Sequence, residues 1–252
     1  MKAPFQFKQF TVNQNQCAMK VGTDGVLLGA WAALPNGPHT VLDIGAGTGL
    51  IAMMLAQRSP EADIEALEIE EAAYEQCVDN FEASPWADRL FCYHAGLDEF
   101  VDGMEDGYDL IVSNPPFYAE NVSSGNAERD HARQNRSLPF DELLEGVAAL
   151  LAPKGRFNVI IPFKEETGFG ALAHQFNLFP SRICHVRGHA QAPIKRSLME
   201  FRFGKGPVEQ DELVIEEARH RYTDAYKALT KEFYFKMQRQ LLSLLYFFIF
   251  GW

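Results

Sequence analysis

The chain has 252 residues, of which 47% are hydrophobic and 23% are charged. This composition is typical of a globular domain and excludes a disordered, collagen-like or coiled-coil protein. The formal net charge is −11, which disfavours nucleic acid as a partner, but the average conceals an asymmetry, because residues 1–126 carry −14 and residues 127–252 carry +3.

Short apolar runs alternate with helical patterns along the chain. The runs predict strands at residues 40–44, 64–69, 90–94 and 109–113, and later at 157–161, 182–186 and 197–203. Helical spacing predicts helices at residues 50–58, 71–83 and 140–151, and a mostly helical segment at 222–250. Strands separated by helices of this length predict βαβ units and therefore a parallel sheet.

Three segments depart from this alternation. Residues 1–34 precede the first clear strand and contain a predicted turn at 22–25, followed by a short helix. Residues 118–138 are long and polar for a connection, and we expect a mobile loop that is either a functional lid or slack. Residues 241–252 are apolar but too short to cross a bilayer. We expect them to pack on the body or an interface, with no membrane partner, and peripheral membrane contact is the alternative.

The cysteines and the first residues bear on the cellular compartment. Cys17, Cys77, Cys92 and Cys184 form no C-x-x-C pair, so we expect reduced thiols and no metal site. No basic segment followed by an apolar stretch stands at the amino end. Both features predict a cytoplasmic protein.

The first motif is a strand that runs into glycines and then a helix, VLDIGAGTGL at residues 41–50. Gly45, Gly47 and Gly49 allow a tight turn against which a ligand can lie without a Cβ atom in the way. A dinucleotide fingerprint needs its third glycine at position 50, where this chain has leucine, and a phosphate loop needs a lysine that is absent. The pattern resembles motif I of the class I methyltransferases, which bind S-adenosyl-L-methionine (AdoMet).

Two carboxylates accompany the glycines. Glu68 ends the second predicted strand, where a carboxylate can accept hydrogen bonds from both ribose hydroxyls. Glu70 is the alternative, and either glutamate also suits the start of a helix. We expect Asp43 to favour the positively charged methionine end of the cofactor.

The second motif, DLIVSNPPF at residues 109–117, ends the fourth predicted strand. The exocyclic amine of adenine is a poor nucleophile because its lone pair is delocalised into the ring. The side-chain oxygen of Asn114 and the carbonyl of Pro115 can each accept an N–H bond and aim that lone pair at a methyl group. Pro115 and Pro116 stiffen the turn, and Phe117 offers a face on which an extruded base can stack. A rigid turn is the alternative, but together with the glycine motif the pattern predicts an amine clamp.

Cations concentrate between residues 182 and 205, where six lysines and arginines accompany one glutamate. This stretch and the arginines of the 118–138 loop predict contacts with RNA phosphates, with a solvated basic face as the alternative. The residues that we expect to bind RNA are Arg133, Arg136, Arg187, Lys195 and Arg196.

To about residue 237, the chain resembles the bacterial tRNA1(Val) adenine-37 N6-methyltransferases, a family of the class I methyltransferase superfamily. Besides both motifs, the resemblance includes KVGTD at 20–24, LLGAWA at 27–32, LPFDELL at 138–144 and KRSLMEF at 195–201. It implies an α/β, Rossmann-like fold with a mostly parallel seven-stranded sheet and helices on both faces. It also implies AdoMet-dependent methylation of N6 of the adenine next to the anticodon of tRNA.

The resemblance implies further cofactor ligands and shows two departures. In such enzymes the KVGTD segment closes over the cofactor, which makes Lys20, Thr23 and Asp24 candidates, with turn chemistry as the alternative. Family members place an aspartate after the third strand to accept from the adenine amino group of the cofactor, but this chain has Gly96 there, and Asp98 is the candidate replacement. The apolar end beyond residue 237 also departs from the family pattern.

The chain is therefore divided into a cofactor-closing segment at 1–34, a methyltransferase domain at 35–237 and an apolar tail at 238–252, and we expect a monomer. Two other functions stay open. One is an enzyme that uses the same clamp on guanine N2 of rRNA or on a protein glutamine. The other is a catalytically silent protein with an AdoMet-binding fold that binds RNA.

Overall fold

The computed structural model describes residues 3–17, 20–34, 37–102, 107–116 and 138–235. Most of the predicted 118–138 loop and the whole 238–252 tail lie outside these ranges, as do Phe117, Arg133 and Arg136. In the described ranges, helices cover both faces of one large sheet.

The strands and helices alternate through most of the described chain. The strands are β1 (Phe5–Gln6), β2 (Thr11–Val12), β3 (Thr40–Ile44), β4 (Asp63–Glu68), β5 (Leu90–His94), β6 (Tyr108–Ser113), β7 (Leu151–Pro162), β8 (Leu178–His189), β9 (Ile194–Phe203), β10 (Glu209–Ala218) and β11 (Arg221–Tyr222). The α-helices are α1 (Thr23–Trp31), α2 (Leu50–Arg58), α3 (Glu71–Glu82), α4 (Leu97–Val101), α5 (Phe140–Leu150), α6 (Glu166–Ala173) and α7 (Asp224–Thr230). Short 3₁₀ helices at Phe163–Glu165 and His174–Phe176 flank α6.

Nine of these strands form one sheet, in the order β11-β10-β8-β9-β7-β6-β3-β4-β5. β3 to β7 run parallel to one another, and β9 lies antiparallel between β7 and β8. The predicted α/β fold with a mostly parallel sheet is confirmed. The seven strands from β5 to β8 are extended by β10 and β11 at the edge. β10 is largely exposed, and its apolar residues are limited to three, at 213–215, which is too short a run to predict a strand.

Alternating side chains of the strands divide the core into two layers. One layer joins the sheet to α1, α2, α3 and α7 through residues such as Leu28, Met53 and Phe81. The other joins it to α4, α5 and α6 through residues such as Leu143, Val147 and Phe169. Because both faces are covered, the central strands are apolar on both sides, as parallel strands usually are.

The structure corrects the prediction at two places. In the described part of the predicted 222–250 helix, the α-helix is α7. Its first residue is Asp224, because Tyr222 pairs with β10 and the hydroxyl of Thr223 accepts from Tyr226 N–H as the N-cap. The predicted turn at 22–25 is the start of α1, with Gly22 as its N-cap residue.

The chain reverses its direction across the sheet between β3 and β6. After β3 it adds β4 and β5 on one side, and it then returns to place β6 directly beside β3. In open α/β sheets, ligands bind at such a switch point, outside the carboxyl ends of the strands. Both sequence motifs follow strands that end there.

Candidate active site

The glycine turn after β3 is built to receive a ligand. The amides of Gly45 and Ala46 donate to the carbonyl of Leu67, at 2.9 and 3.0 Å. Gly47 has a φ of 56°, and a Cβ atom built on it would meet no heavy atom within 4 Å. Its absent side chain therefore leaves open space that a cofactor can fill, whereas side chains other than glycine are strained at this φ.

Gly49 has a different role in the same turn. A Cβ atom on it would stand 2.5 Å from Cε1 of Phe81 and 2.9 Å from Sγ of Cys77. This glycine therefore lets α3 pack closely on the turn, and its φ of 75° also favours glycine. Its predicted contact with the cofactor stays a prediction.

Glu68 ends β4 next to this turn, as predicted. Its Oε2 atom accepts a hydrogen bond of 2.8 Å from Gly47 N–H, and its Oε1 atom accepts one of 2.9 Å from Glu70 N–H. The two amides fix the carboxylate beside the open space over Gly47. Glu70 instead stands as the N-cap residue of α3, which is the structural role considered for it. Ile69, which the sequence analysis did not single out, is 63% exposed between them and offers an apolar surface at the same edge.

Asp43 lies under the turn and not at its surface. It is fully buried, its Oδ2 atom accepts a 3.1 Å bond from Ala52 N–H, and its Oδ1 atom has no hydrogen-bond partner among the described residues. Burial raises the pKa of Asp43 to about 7, the Ala52 bond opposes this shift, and the negative charge of Glu68 adds to it. Asp43 can therefore act on a bound cation only through the field of its charge.

Asp98 lies close to Gly96, the position at which this chain lacks the aspartate of the family pattern. Gly96 precedes α4, and a Cβ atom built on it would lie 2.6 Å from Oδ1 of Asp98. The Asp98 carboxylate thus folds back over the position where family members have an aspartate. This placement weakens the main reason for considering a silent protein.

The segment before β3 is held against the site by side chains that the sequence analysis missed. Asn80 on α3 is fully buried, accepts from Asn13 N–H at 2.8 Å, and donates to the carbonyls of Asn13 and Thr48 at 2.9 Å. Gln76, one turn earlier, accepts from the amides of Asn15 and Gln16. The sequence signal for these contacts was a pair of side-chain amides four residues apart on one helix, Gln76 and Asn80. They join the amino-terminal segment to the glycine turn.

The KVGTD segment reaches the same edge of the sheet. Asp24, in the first turn of α1, pairs with Arg196 of β9, with Oδ2 and Nε 2.7 Å apart. Lys20 and Thr23 are exposed. The structure therefore joins a predicted cofactor residue to a predicted RNA residue, and this pair fixes the start of α1 relative to β9.

The second motif stands directly beside the first. Ile44 and Ser113 are partners across β3 and β6, and Ser113 Oγ donates to the Ile44 carbonyl at 2.9 Å. The residues that follow this pair are Gly45 and Asn114, so the glycine turn and the Asn-Pro-Pro turn leave the sheet side by side. Pro115 is buried, and the Oδ1 atom of Asn114 is a buried acceptor without a partner among the described residues.

The β8–β9 hairpin places the cations of residues 182–205 toward two opposite edges of the sheet. Arg187, Lys195 and Arg196 lie toward the carboxyl edge, where the motifs are, and Arg187 pairs with Glu212 at 2.9 Å. Arg182 lies toward the opposite edge, stacked 3.7 Å from the centre of the Trp31 ring and 3.8 Å from Glu200. A cavity of about 370 Å³ lined by Arg156, Arg182, Arg202 and Glu200 also lies at that edge, away from both motifs.

Neither a cluster of metal ligands nor a membrane-spanning helix is present among the described residues. These residues contain no group of three or more His, Cys, Asp and Glu side chains that could hold a metal ion. Within the same ranges, no helix has both the length and the apolar character needed to cross a membrane.

Comparisons with known proteins bear on this site. The model of the methyltransferase small domain family matches residues 26–167. A protein of Flavobacterium psychrophilum, named tRNA1(Val) (adenine(37)-N6)-methyltransferase, is 59% identical over 92% of this chain and 100% of its own length. A protein of the same name from Christiangramia forsetii is 56% identical over 93% of this chain and 98% of its own length.

A comparison of structures supports the fold. The crystal structure of a "predicted O-methyltransferase" from Agrobacterium tumefaciens has a TM-score of 0.65 and 17% sequence identity, and the match covers 83% of this chain and 96% of that one. At this identity the likeness bears on the fold alone.

Proposed function

We propose a mechanism for this chain from the premise that it belongs to the methyltransferase small domain family and, within it, to the tRNA1(Val) (adenine(37)-N6)-methyltransferases. It is an AdoMet-dependent tRNA methyltransferase, and N6 of adenine 37 is the atom that it methylates. AdoMet supplies the methyl group as an electrophile on a sulfonium centre. The residues of the chain bind the cofactor, position the adenine amine and exclude water.

The glycine turn and three carboxylates are proposed to hold the cofactor. Gly45 and Gly47 leave the space for it, and Glu68 and Asp98 offer acceptors for ribose hydroxyls and for the adenine amino group. Asp43 contributes a buried charge beneath a sulfonium and an amino group. The donor and acceptor types of these residues match the groups that AdoMet carries.

The amine-clamp proposal rests on one observation: the buried Oδ1 atom of Asn114 has no hydrogen-bond partner among the described residues. A buried acceptor left unpaired costs about 1–3 kcal/mol, and such groups persist where a ligand completes them. In our proposal N6 of adenine donates one N–H to this atom and the other to the Pro115 carbonyl. The two bonds would fix the amine and favour pyramidal geometry at N6, which withdraws its lone pair from conjugation with the ring and aims it at the methyl group. Methyl transfer would leave a positive charge on N6 and a neutral thioether as the leaving group. The cationic N6 is acidic and loses a proton to water.

The adenine has to leave the base stack to reach this turn. Base flipping is the general solution for enzymes that act on an exocyclic group, and a stacking surface in the pocket helps to offset its energetic cost. Pro116 is half-buried beside Pro115, and Phe117, which lies outside the described residues, is the proposed stacking partner.

The remaining proposals concern the partners of the enzyme. Arg187, Lys195 and Arg196, together with Arg133 and Arg136, are proposed to contact RNA phosphates. Lys20, Thr23 and Asp24 are proposed to close over the cofactor, since the Asp24–Arg196 pair anchors the start of α1 at that edge. A tRNA substrate favours a cytoplasmic enzyme, and one chain supplies both motifs, which is consistent with a monomer.

The proposal is tested by nucleoside analysis. An unmodified tRNA1(Val) transcript is incubated with the protein and AdoMet carrying an isotopically labelled methyl group, and digested RNA is examined by mass spectrometry. We expect one labelled N6-methyladenosine per transcript, and none when adenine 37 is replaced by guanine. Label in another nucleoside, or in neither transcript, would contradict the proposed reaction.

A further inference from the structure

Most of the residues proposed to hold the cofactor lie at one half of the carboxyl edge of the sheet. Gly47 and Asp98 follow β3 and β5, and Glu68 ends β4, on one side of the switch point, whereas Asp24 reaches the other half through its pair with Arg196. On the other side are the ends of β7 and β8 and the start of β9. Since Asn114 stands at the boundary, RNA that enters the clamp has to lie over this second half.

Phe163 lies in this half and is 39% exposed. It is the first residue after β7, which pairs with β6 in a register that joins Ser113 to Val159. If this register is continued, Pro115 lies opposite Ile161. Phe163 therefore lies two residues beyond Pro115 in the direction in which both strands run. An exposed phenylalanine here has no role in the core.

The Phe163 ring packs against His185, which is itself held by hydrogen bonds. Phe163 meets His185 of β8 edge-on, with ring centroids 5.1 Å apart and planes at 83°. His185 Nε2 donates to Glu166 Oε2 at 2.8 Å, and the same oxygen accepts from the hydroxyl of the fully buried Ser197. A perpendicular contact with His185 occupies an edge or one face of the phenyl ring and not both faces, and 39% of the residue remains exposed.

The distance from the clamp shows which base this ring can serve. His185 pairs with Ser197, and Ser197 pairs with Ile161, so His185, Ser197, Ile161 and Pro115 lie at one level on four neighbouring strands. Three strand spacings correspond to about 14 Å between Pro115 and His185. Phe163 itself follows β7, next to β6, but its ring contacts His185, two strands further from the clamp. The ring is therefore turned away from the base in the clamp and toward another base of the same loop.

One lysine near Phe163 is available to RNA. Lys164, next to the ring, pairs with Glu165 at 3.0 Å, whereas Lys195 is exposed and has no ion-pair partner among the described residues. An aromatic ring beside a cation is an arrangement by which proteins hold unpaired nucleotides, the ring by stacking and the cation at a phosphate.

We infer that Phe163 is a stacking platform for an unpaired base of the anticodon loop other than the methylated adenine, and that His185, held by Glu166 and Ser197, positions its ring. The inference rests on the proposed function and extends it to a residue that determines how the loop is held. Stacking requires a π face, which distinguishes it from apolar packing.

The test compares Phe163→Ala, Phe163→Leu and Phe163→Trp in methylation of a tRNA1(Val) transcript. Phe91→Ala is the matched control, because Phe91 is 43% exposed on β5, the last strand at the other side of the sheet. We expect KM for tRNA to rise about tenfold for the alanine and leucine variants. The tryptophan variant and the control should stay within about twofold of the wild type, and AdoMet affinity should not change in any of them.

Two further measurements separate the outcomes. A fluorescent adenine analogue at successive loop positions should be quenched by the wild type at one position other than 37, and Phe163→Ala should remove that quenching. His185→Ala should raise KM, and the double variant with Phe163→Ala should add nothing further. Wild-type KM in Phe163→Ala, or in Phe163→Leu, would overturn the inference while leaving the methylation of adenine 37 intact. If the wild type itself fails to methylate tRNA, the proposed function fails, and the quenching measurement still decides about Phe163.

Discussion

The Oδ1 atom of Asp98 lies 2.6 Å from the point that a Cβ atom on Gly96 would occupy. The backbone of Gly96 has a φ of −72°, which any residue can adopt, so its conformation does not require glycine. Instead, the Asp98 side chain uses the room that a side chain at position 96 would need. Positions 96 and 98 therefore cannot both place a carboxylate at this point beside the carboxyl edge of the sheet.

Asp98→Ala should weaken AdoMet binding about tenfold or more, because a hydrogen bond to a charged acceptor is worth about 1.5–3 kcal/mol. Gly96→Asp combined with Asp98→Ala should recover most of this loss, since the new carboxylate starts from the backbone position that family members use. Isothermal titration calorimetry measures both affinities. Asp102→Ala, an exposed aspartate at the end of α4, serves as the control. Wild-type affinity in Asp98→Ala would exclude this residue as a ligand.

Asn114→Ala should abolish methyl transfer and leave AdoMet affinity within about twofold, because Asn114 is proposed to bind the adenine and not the cofactor. Its melting temperature should be unchanged or higher, since the variant removes a buried acceptor that has no partner among the described residues. Asn114→Asp keeps an acceptor and should retain more activity than the alanine variant. Single-turnover methylation of the tRNA1(Val) transcript checks the rates, and turnover like that of the wild type in Asn114→Ala would end the amine-clamp proposal.

Asp43→Asn should change how stability depends on pH. Burial raises the folded-state pKa of Asp43 from 3.8 to about 7, so between these values the folded protein holds a proton that the unfolded chain has lost. The protonated carboxyl of Asp43 therefore favours the folded state at low pH, and the free energy of unfolding falls as pH rises to about 7, where the buried group has to ionise. The gain in melting temperature of Asp43→Asn over the wild type should increase by several degrees from pH 5 to pH 8. Asp63→Asn, at an exposed aspartate, is the control, and an equal gain at both pH values would refute the burial argument.

Lys195→Gln should weaken tRNA binding and reduce the slope of log affinity against log salt concentration by about 1, as expected for one lost phosphate contact. Lys205→Gln should leave both unchanged, because Lys205 follows β9 at the opposite edge, where its ammonium lies 5.5 Å from the Phe179 ring. The sequence places the two lysines in one basic stretch. Equal effects of the two substitutions in filter-binding titrations would show that RNA does not follow the carboxyl edge.

The sequence predicted the central elements to within a few residues, because their patterns are local. β3 and α2 begin and end where the apolar run and the helical spacing predict, and the glycines between them mark the turn. The edge strand β10 was missed because its apolar residues are limited to three, at 213–215, between acidic residues. The later start of the helix predicted from residue 222 is explained by pairing with β10, since the pairing of Tyr222 with this strand is not encoded in the local spacing.

The sequence by itself predicted the chemistry of this protein, because the glycine turn at 41–50 and the Asn-Pro-Pro-Phe turn at 114–117 are short motifs that resemble those of methyltransferases acting on planar nitrogens. Only the tertiary structure decided which of the remaining residues stand beside them. It pairs Asp24 with Arg196, places Asp98 over Gly96, and sends Lys195 and Lys205 to opposite edges. The reason is that these relationships depend on strand order and register, which are fixed by the packing of both faces of the sheet.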